Sequence, residues 1–282
     1  MTDLARERAD DLAPHLTGVA GYSRISRLAR TLTTLDPYDL ASLALLAALF
    51  VLVLATFRDY ASTNDEWIQH RYGELIVAYY KSGFTDRSVF ALDNLYLYGG
   101  MFDIVAVLLS HIVALDAFDL RHLMCAMIGV AGLGSAIATA RMIGGARAGL
   151  LAGIALAVCG SWYGTMFHHS KDIPLAAAMA GALYFLMRVA RGLPNPQARH
   201  VVGFGALTGA ALGIKVLGLL LVGYVGIAIL LSMPNAMFAT PAQAGNYIWR
   251  SLVRLVPGLA IAYVIMIVTW PWAALSPLNP IR

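Results

Sequence analysis

Residues 40–57 read LASLALLAALFVLVLATF, eighteen positions with neither a charge nor a proline. A transmembrane helix needs about 20 mostly apolar residues, and roughly 17 to 25 suffice. The stretch is therefore read as a membrane span. The rest of the 282-residue chain agrees, being 59% hydrophobic and only 13% charged, with a mean hydropathy of +0.70. These values exclude a soluble domain. Six further apolar runs follow: His122 to Ala140, Ala148 to Phe167, Ile173 to about Ala190, Val201 to Ile214, Val216 to Met233 and Leu255 to Ala274. The expected fold is all-α, a polytopic membrane bundle of about seven transmembrane helices occupying 39–282, after an N-terminal tail over 1–38.

Met101 to Phe118 is also apolar, but Asp103, His111 and Asp116 interrupt it, and it is read as lying at the membrane surface. Cytoplasmic loops carry excess Lys and Arg. With this stretch at the surface and the N-terminus in the cytoplasm, twelve of the chain's 20 Lys and Arg fall inside and eight outside. If the stretch crossed, the split would be nine to eleven, stranding the arginines near 141–147 and 188–199 on the wrong side. An outer loop over 58–121 follows, bearing STNDEWIQHRYGE (62–74), with HHSKD (168–172) on the same face. The two charged segments are expected to meet. Lys215 separates the fifth and sixth spans, because an ammonium in mid-membrane costs about 2.5 to 3.5 kcal/mol or more, whereas at an outer turn it reaches water.

The first apolar run begins too late for a usual cleavable signal and reads as an uncleaved span. Cys125 and Cys159 fall inside expected spans and form no disulfide framework. No Walker A, CxxC or HExxH pattern occurs, and no basic-aromatic stripe suggests nucleic acid. VAGLGSA (130–136) and GFGALTGAALG (203–213) are read as close helix packing, since a phosphate-cradling loop needs a soluble strand-turn-helix setting.

Chemistry is then expected in the outer loops. Asp65 and Glu66 are neighbours, and on a helix they point about 100° apart, so one acts while the other orients. A carboxylate at the membrane edge serves as a general base toward an acceptor hydroxyl or amine, or holds a divalent metal. In MFHHSKDIP (166–174), Pro174 suits a first helical turn and Asp172 or Ile173 is expected to cap it. Ordinary readings stand beside these: solvated surface charge, snorkelling for Lys171, and an interfacial polar belt for His168.

The combination of NDEWIQHRYGE (64–74), LYLYGGMFD (95–103), RHLMCAMIGV (121–130), GTMFHHSKDIP (164–174) and WPWAALSPLNP (270–280) resembles the GT-C superfamily of membrane glycosyltransferases. It is most similar to the branch of protein O-mannosyltransferases and aminoarabinose-lipid A transferases. The resemblance implies juxtamembrane helices in the first outer loop and a bacterial inner-membrane location. It also implies inverting transfer of a sugar from a polyprenyl-phosphate donor to a lipid, glycan or protein acceptor on the outer face. Asp65 would be the catalytic base, with Glu66 beside it and Asp172 as the second-loop acid. Lys171, Arg71 and Lys215 would meet the donor phosphate. A divalent metal, if used, would fall to Asp65, Asp172 and His168. Members of this group continue for several more spans and carry a double-proline stretch where this chain has LYLYGGMFD. The rival functions are a transporter or lipid flippase, and a fragment or assembly subunit without activity.

Overall fold

The computed structural model describes residues 36–235, 240–276 and 278–281. Nearly all of the expected N-terminal tail lies outside these residues, together with Arg6, Arg8, Arg24, Arg27 and Arg30. Every regular element among the described residues is helical.

Helix α1 (Pro37–Thr56) opens as its sequence dictates. Asp36 accepts a hydrogen bond from the Tyr38 backbone at 2.9 Å and Pro37 fills the first turn. It buries Leu49 and Val53 against the bundle and leaves Leu43, Phe50, Val51 and Leu54 exposed, as expected of a helix with apolar residues all round. After α2 (Asn64–Lys81) and α3 (Met101–Ser110), α4 (Ala117–Ala157) is one long helical assignment that changes direction within. Gly144 leaves helical geometry, and Gly145 has φ 79°, where a side chain would be strained. Beyond the two glycines the chain doubles back, so that Gly149 and Gly153 lie against Ile137. The reversal coincides with the arginine loop expected between two spans. Arg141 pairs with Asp39 at one end of α1, while Val53 packs with Cys125 and Ala126 near the other, so α1 and the first arm of α4 are antiparallel.

The second arm ends sooner than expected. It stops at Ala157, and the short helix α5 (Gly160–Tyr163) follows, so Ala148 to Phe167 is not one span. Gly160 and Gly164 weaken a helix there, and Phe167 is pulled into a stack on Tyr60, with centroids 3.8 Å apart. Cys159 accordingly is exposed, whereas Cys125 is buried.

Helices α6 (Asp172–Ala190), α7 (Ala198–Leu212), α8 (Leu220–Ser232) and α9 (Pro241–Thr269) complete the bundle, with α10 (Pro271–Leu275) after it. Lys215 stands at the break between α7 and a 3₁₀ turn, Val216–Leu219, that leads into α8. Gly205 and Gly209 on α7, with Gly213 just after its end, form a stripe against α9: a Cβ at Gly205 would collide with the Gly258 carbonyl, and one at Gly209 would lie 2.8 Å from Ile265. Small residues at four-residue spacing let two backbones approach in this way.

Four helices, α1, α4, α6 and α9, are long and apolar enough to cross a membrane, the mark of a membrane protein. Helix α3 has ten residues, about 15 Å at 1.5 Å per residue, too short to cross. It belongs to a layer at one end of the bundle formed by α2, α3 and the loop between them. That loop is tied to the bundle through its backbone. Gly99 N–H donates to Ile214 O at 3.1 Å, Gly100 N–H to Thr269 O at 3.0 Å and Met101 N–H to Gly213 O at 3.0 Å. Trp270 Nε1 donates to Tyr96 O at 2.8 Å and the Tyr72 hydroxyl to Tyr98 O at 2.9 Å. Only glycine fits at position 99, where a Cβ would run into the Gly213 carbonyl. LYLYGGMFD is thus a fixed rim over the ends of α7 and α9.

Candidate functional site at the loop-covered end

The two charged segments singled out in the sequence meet at this end. Helix α2 begins inside the first of them, and its opening turn separates Asp65 from Glu66. Glu66 turns inward, wholly buried; its carboxylate accepts from Thr63 N–H at 2.8 Å and lies 3.1 Å from His122 Nε2. Burial pushes its carboxyl up, but the bonds from His122 and Thr63 outweigh this and hold it below the ordinary range. Asp65 turns outward and is exposed.

Beneath the surface lies an ionic cluster that the sequence reading did not foresee. Arg121 is fully buried; its Nη2 donates to Asp103 Oδ1 at 2.8 Å and to Ser170 Oγ at 2.9 Å, and its guanidinium lies 5.1 Å from the Phe102 ring centroid. The Ser170 hydroxyl donates to Gln69 Oε1 at 2.5 Å. Burial raises the Asp103 carboxyl, with Arg121 and Lys171 pulling it back. The cluster ties α2, α3, α4 and the 158–171 loop together. A signal was available: ionisable residues within apolar helices usually face the interior and pair with one another. In the sequence Asp103 reads as an interruption of an apolar run and Arg121 as the end of the outer loop, with nothing to pair them. Removing one partner leaves a buried uncompensated charge, which costs about 3 to 5 kcal/mol, whereas an apolar replacement of both is often neutral. Arg121→Met should therefore lower the melting temperature in detergent sharply, and Arg121→Met with Asp103→Leu should recover much of the loss.

Above the cluster is a cavity of about 300 Å³ lined by Asp65, Gln69, Asp93, Asn94, Tyr98, Lys171, Asp172 and Lys215, among others. Lys171 is only 8% exposed. Its ammonium lies 4.5 Å from the Tyr98 ring centroid and 5.8 Å from that of Tyr72, within cation–π range. Among the described residues it makes no hydrogen bond or ion pair. Burial lowers its pKa, with Asp103 opposing. Lys171 is placed by its neighbour, since Ser170 is locked to Arg121 and Gln69. Asp172 is the first residue of α6 and not its cap; its carboxylate meets Lys215 Nζ at 2.5 Å and lies 3.6 Å from His169 Nδ1.

Four of the expected site residues, Asp65, Lys171, Asp172 and Lys215, thus line one cavity. Glu66 lies in the buried layer with His122. Arg71 is exposed and paired with Glu74 at 2.8 Å, a partner three residues on. His168 sits near Tyr60 and His169, at ring separations of 6.4 and 5.1 Å. Among the described residues no group of three or more His, Cys, Asp or Glu is arranged to hold a metal. The trio Asp65, Asp172 and His168 is not assembled as a ligand set, and Lys215 occupies one oxygen of Asp172.

A second cavity, of about 370 Å³, runs down between α3, α4, α6 and α7. Its walls are almost wholly apolar, including Phe102, Met124, Ile128, Gly132, Ala177, Gly181 and Leu207. It shares no lining residue with the polar cavity, but the two draw their walls from neighbouring chain positions: Pro174 lies two residues beyond Asp172, Ile214 directly precedes Lys215, and Met101 lies three beyond Tyr98.

The chain matches no protein-family model, no curated protein and no solved structure.

Proposed function

We propose that the protein is a GT-C-like membrane glycosyltransferase that takes a sugar from a polyprenyl-phosphate donor. The observation that carries this reading is the buried Lys171, whose ammonium has no hydrogen bond or ion pair among the described residues, in a polar cavity whose wall segments continue into those of an apolar groove. A lipid phosphate supplies what each half lacks: an anion for Lys171 and an apolar chain for the groove. Seven crossings follow if the first arm of α4, the interrupted segment 146–167, helix α7 and residues 216–232 each count beside α1, α6 and α9. The N-terminus is then cytoplasmic and the site faces outward across a bacterial inner membrane. In the reaction, the acceptor hydroxyl attacks the anomeric carbon and gives its proton to Asp65. A carbon–oxygen bond forms as the bond from the anomeric carbon to the phosphate oxygen breaks, inverting the configuration. Lys171 and Lys215 stabilise the charge left on the phosphate. A transporter would hold its substrate near mid-membrane on broken helices, whereas the clustered ionisable groups among the described residues lie at one end of the bundle.

Binding to polyprenyl phosphate, measured with the full chain in nanodiscs, tests the reading. Above pH 7 a phosphate monoester is already doubly ionised, its second pKa being about 6, so further change reports the protein. Lys171 binds the anion only when protonated, and its pKa lies below the ordinary 10.5. Affinity should hold near neutrality and weaken as pH rises, at a lower pH than an ordinary lysine would give. Flat affinity through the alkaline range, or no saturable binding, would contradict the proposal.

A further inference from the structure

The polar cavity has two chemically different sides. Lys171, Asp172 and Lys215 lie within three residues of Pro174 or Ile214, which line the apolar groove, whereas Asp65 on α2 and Asp93 and Asn94 in the loop between α2 and α3 have no groove-lining residue so near in the chain. Of these, Asp93 has no role so far. It lies between two 3₁₀ turns, Ser88–Phe90 and Leu95–Leu97, with φ 43°, a left-handed conformation uncommon outside glycine but tolerated by Asp and Asn. The rim just beyond it is held by Tyr72 and Trp270. Among the described residues neither the Asp93 nor the Asn94 side chain makes a hydrogen bond, and both residues are exposed to the cavity.

We infer that Asp93, with Asn94, reads the group esterified to the phosphate and selects a hydroxyl-rich headgroup that carries no negative charge. The inference rests on the lipid-phosphate reading. With the phosphate on the lysine side and the chain in the groove, the headgroup is directed toward Asp65, Asp93 and Asn94. Carboxylates accept hydroxyl hydrogens in charge-assisted bonds, and Asn94 adds both a donor and an acceptor. An anionic headgroup instead meets two carboxylates and is disfavoured by like-charge repulsion. Selection therefore works by repulsion as much as by attraction.

The test compares three probes on the full chain in nanodiscs: a short polyprenyl phosphate, its neutral hexosyl ester and its hexuronosyl ester. Wild type should bind the hexosyl ester about tenfold or more tightly than the hexuronosyl ester. Asp93→Asn, which suits the same backbone conformation, should narrow that gap at least about threefold. Equal affinity of wild type for the two esters, or an unchanged gap in Asp93→Asn, would overturn the inference. Failure of the unglycosylated polyprenyl phosphate to bind would overturn the lipid-phosphate reading itself, and this inference with it.

Discussion

Lys171→Met is expected to weaken binding of polyprenyl phosphate by about 10- to 100-fold, while leaving the protein as stable as wild type or more so. The first half follows from the strength of a hydrogen bond to a charged group, about 1.5 to 3 kcal/mol, which is roughly one to two decades in affinity. The second half follows from the surroundings of the side chain. Lys171 is nearly buried, and the rings of Tyr72 and Tyr98 are its nearest partners. Cation–π contact returns about 0.5 to 2 kcal/mol, against a desolvation cost of several kcal/mol for a buried ion. Methionine keeps the unbranched stem and removes the charge. A residue retained for folding would lose stability on substitution; a residue retained for an anion loses affinity alone. Binding isotherms and thermal melts on one preparation separate the two, and a melting temperature that falls in step with affinity would count against the assignment.

The second large effect is expected at Asp65. Asp65→Asn should reduce transfer of labelled sugar by about 100- to 10,000-fold, the range general acid–base catalysis supplies, with donor affinity changed only a few-fold. The substitution is nearly isosteric at an exposed position in the first turn of α2. Its structural cost is confined to the lost interaction of a negative charge with the helix N-terminus, about 0.3 to 1 kcal/mol. Glu66→Gln provides the contrast. It touches His122 and Thr63 beneath the cavity, so its effect should appear in stability. Equal turnover in wild type and Asp65→Asn would remove Asp65 from the chemistry, and binding without turnover in wild type would favour a lipid-binding subunit.

Much of this arrangement was legible in the sequence because membrane crossing imposes a coarse rule on long apolar segments. The reversal at Gly144 and Gly145 lies in the arginine loop, and the break at Lys215 lies where a buried ammonium would have been costly. The glycine stripe of α7 was readable as packing because its four-residue spacing has a direct geometric meaning. Orientation counting brought 62–74 and 168–172 to one face, where the cavity lies.

The remainder depended on contacts between distant residues. Asp65 and Glu66 are chemically alike and adjacent; the Thr63-x-x-Glu66 capping box is a local signal that Glu66 folds back on the helix start, but its burial against His122, 56 residues further on, has none. Asp103 and Arg121 are separated by 18 residues across a helix boundary, so no local spacing announces their ion pair. Asp93 sits in an irregular loop whose path is set by bonds to Ile214, Thr269 and Trp270. Arg71 was the readable exception: Glu74 stands three residues on, and such spacing pairs side chains on one helix face. Ala148 to Phe167 misled for the opposite reason, since apolar composition fits a helix but does not require one. Phe167 is fully buried, and Trp162 and Tyr163 partly, against other elements instead.

Binding of one lipid phosphate across the Lys171 cavity and the apolar groove is tested most directly by a polyprenyl phosphate carrying a photoreactive group in its chain, with labelled peptides mapped by mass spectrometry. Labelling should concentrate on the groove walls around Ile128, Ala177 and Leu207, be displaced by unlabelled polyprenyl phosphate, and fall sharply in Lys171→Met. Labelling spread over the exposed faces of α1 and α9, indifferent to competitor and to Lys171, would contradict it.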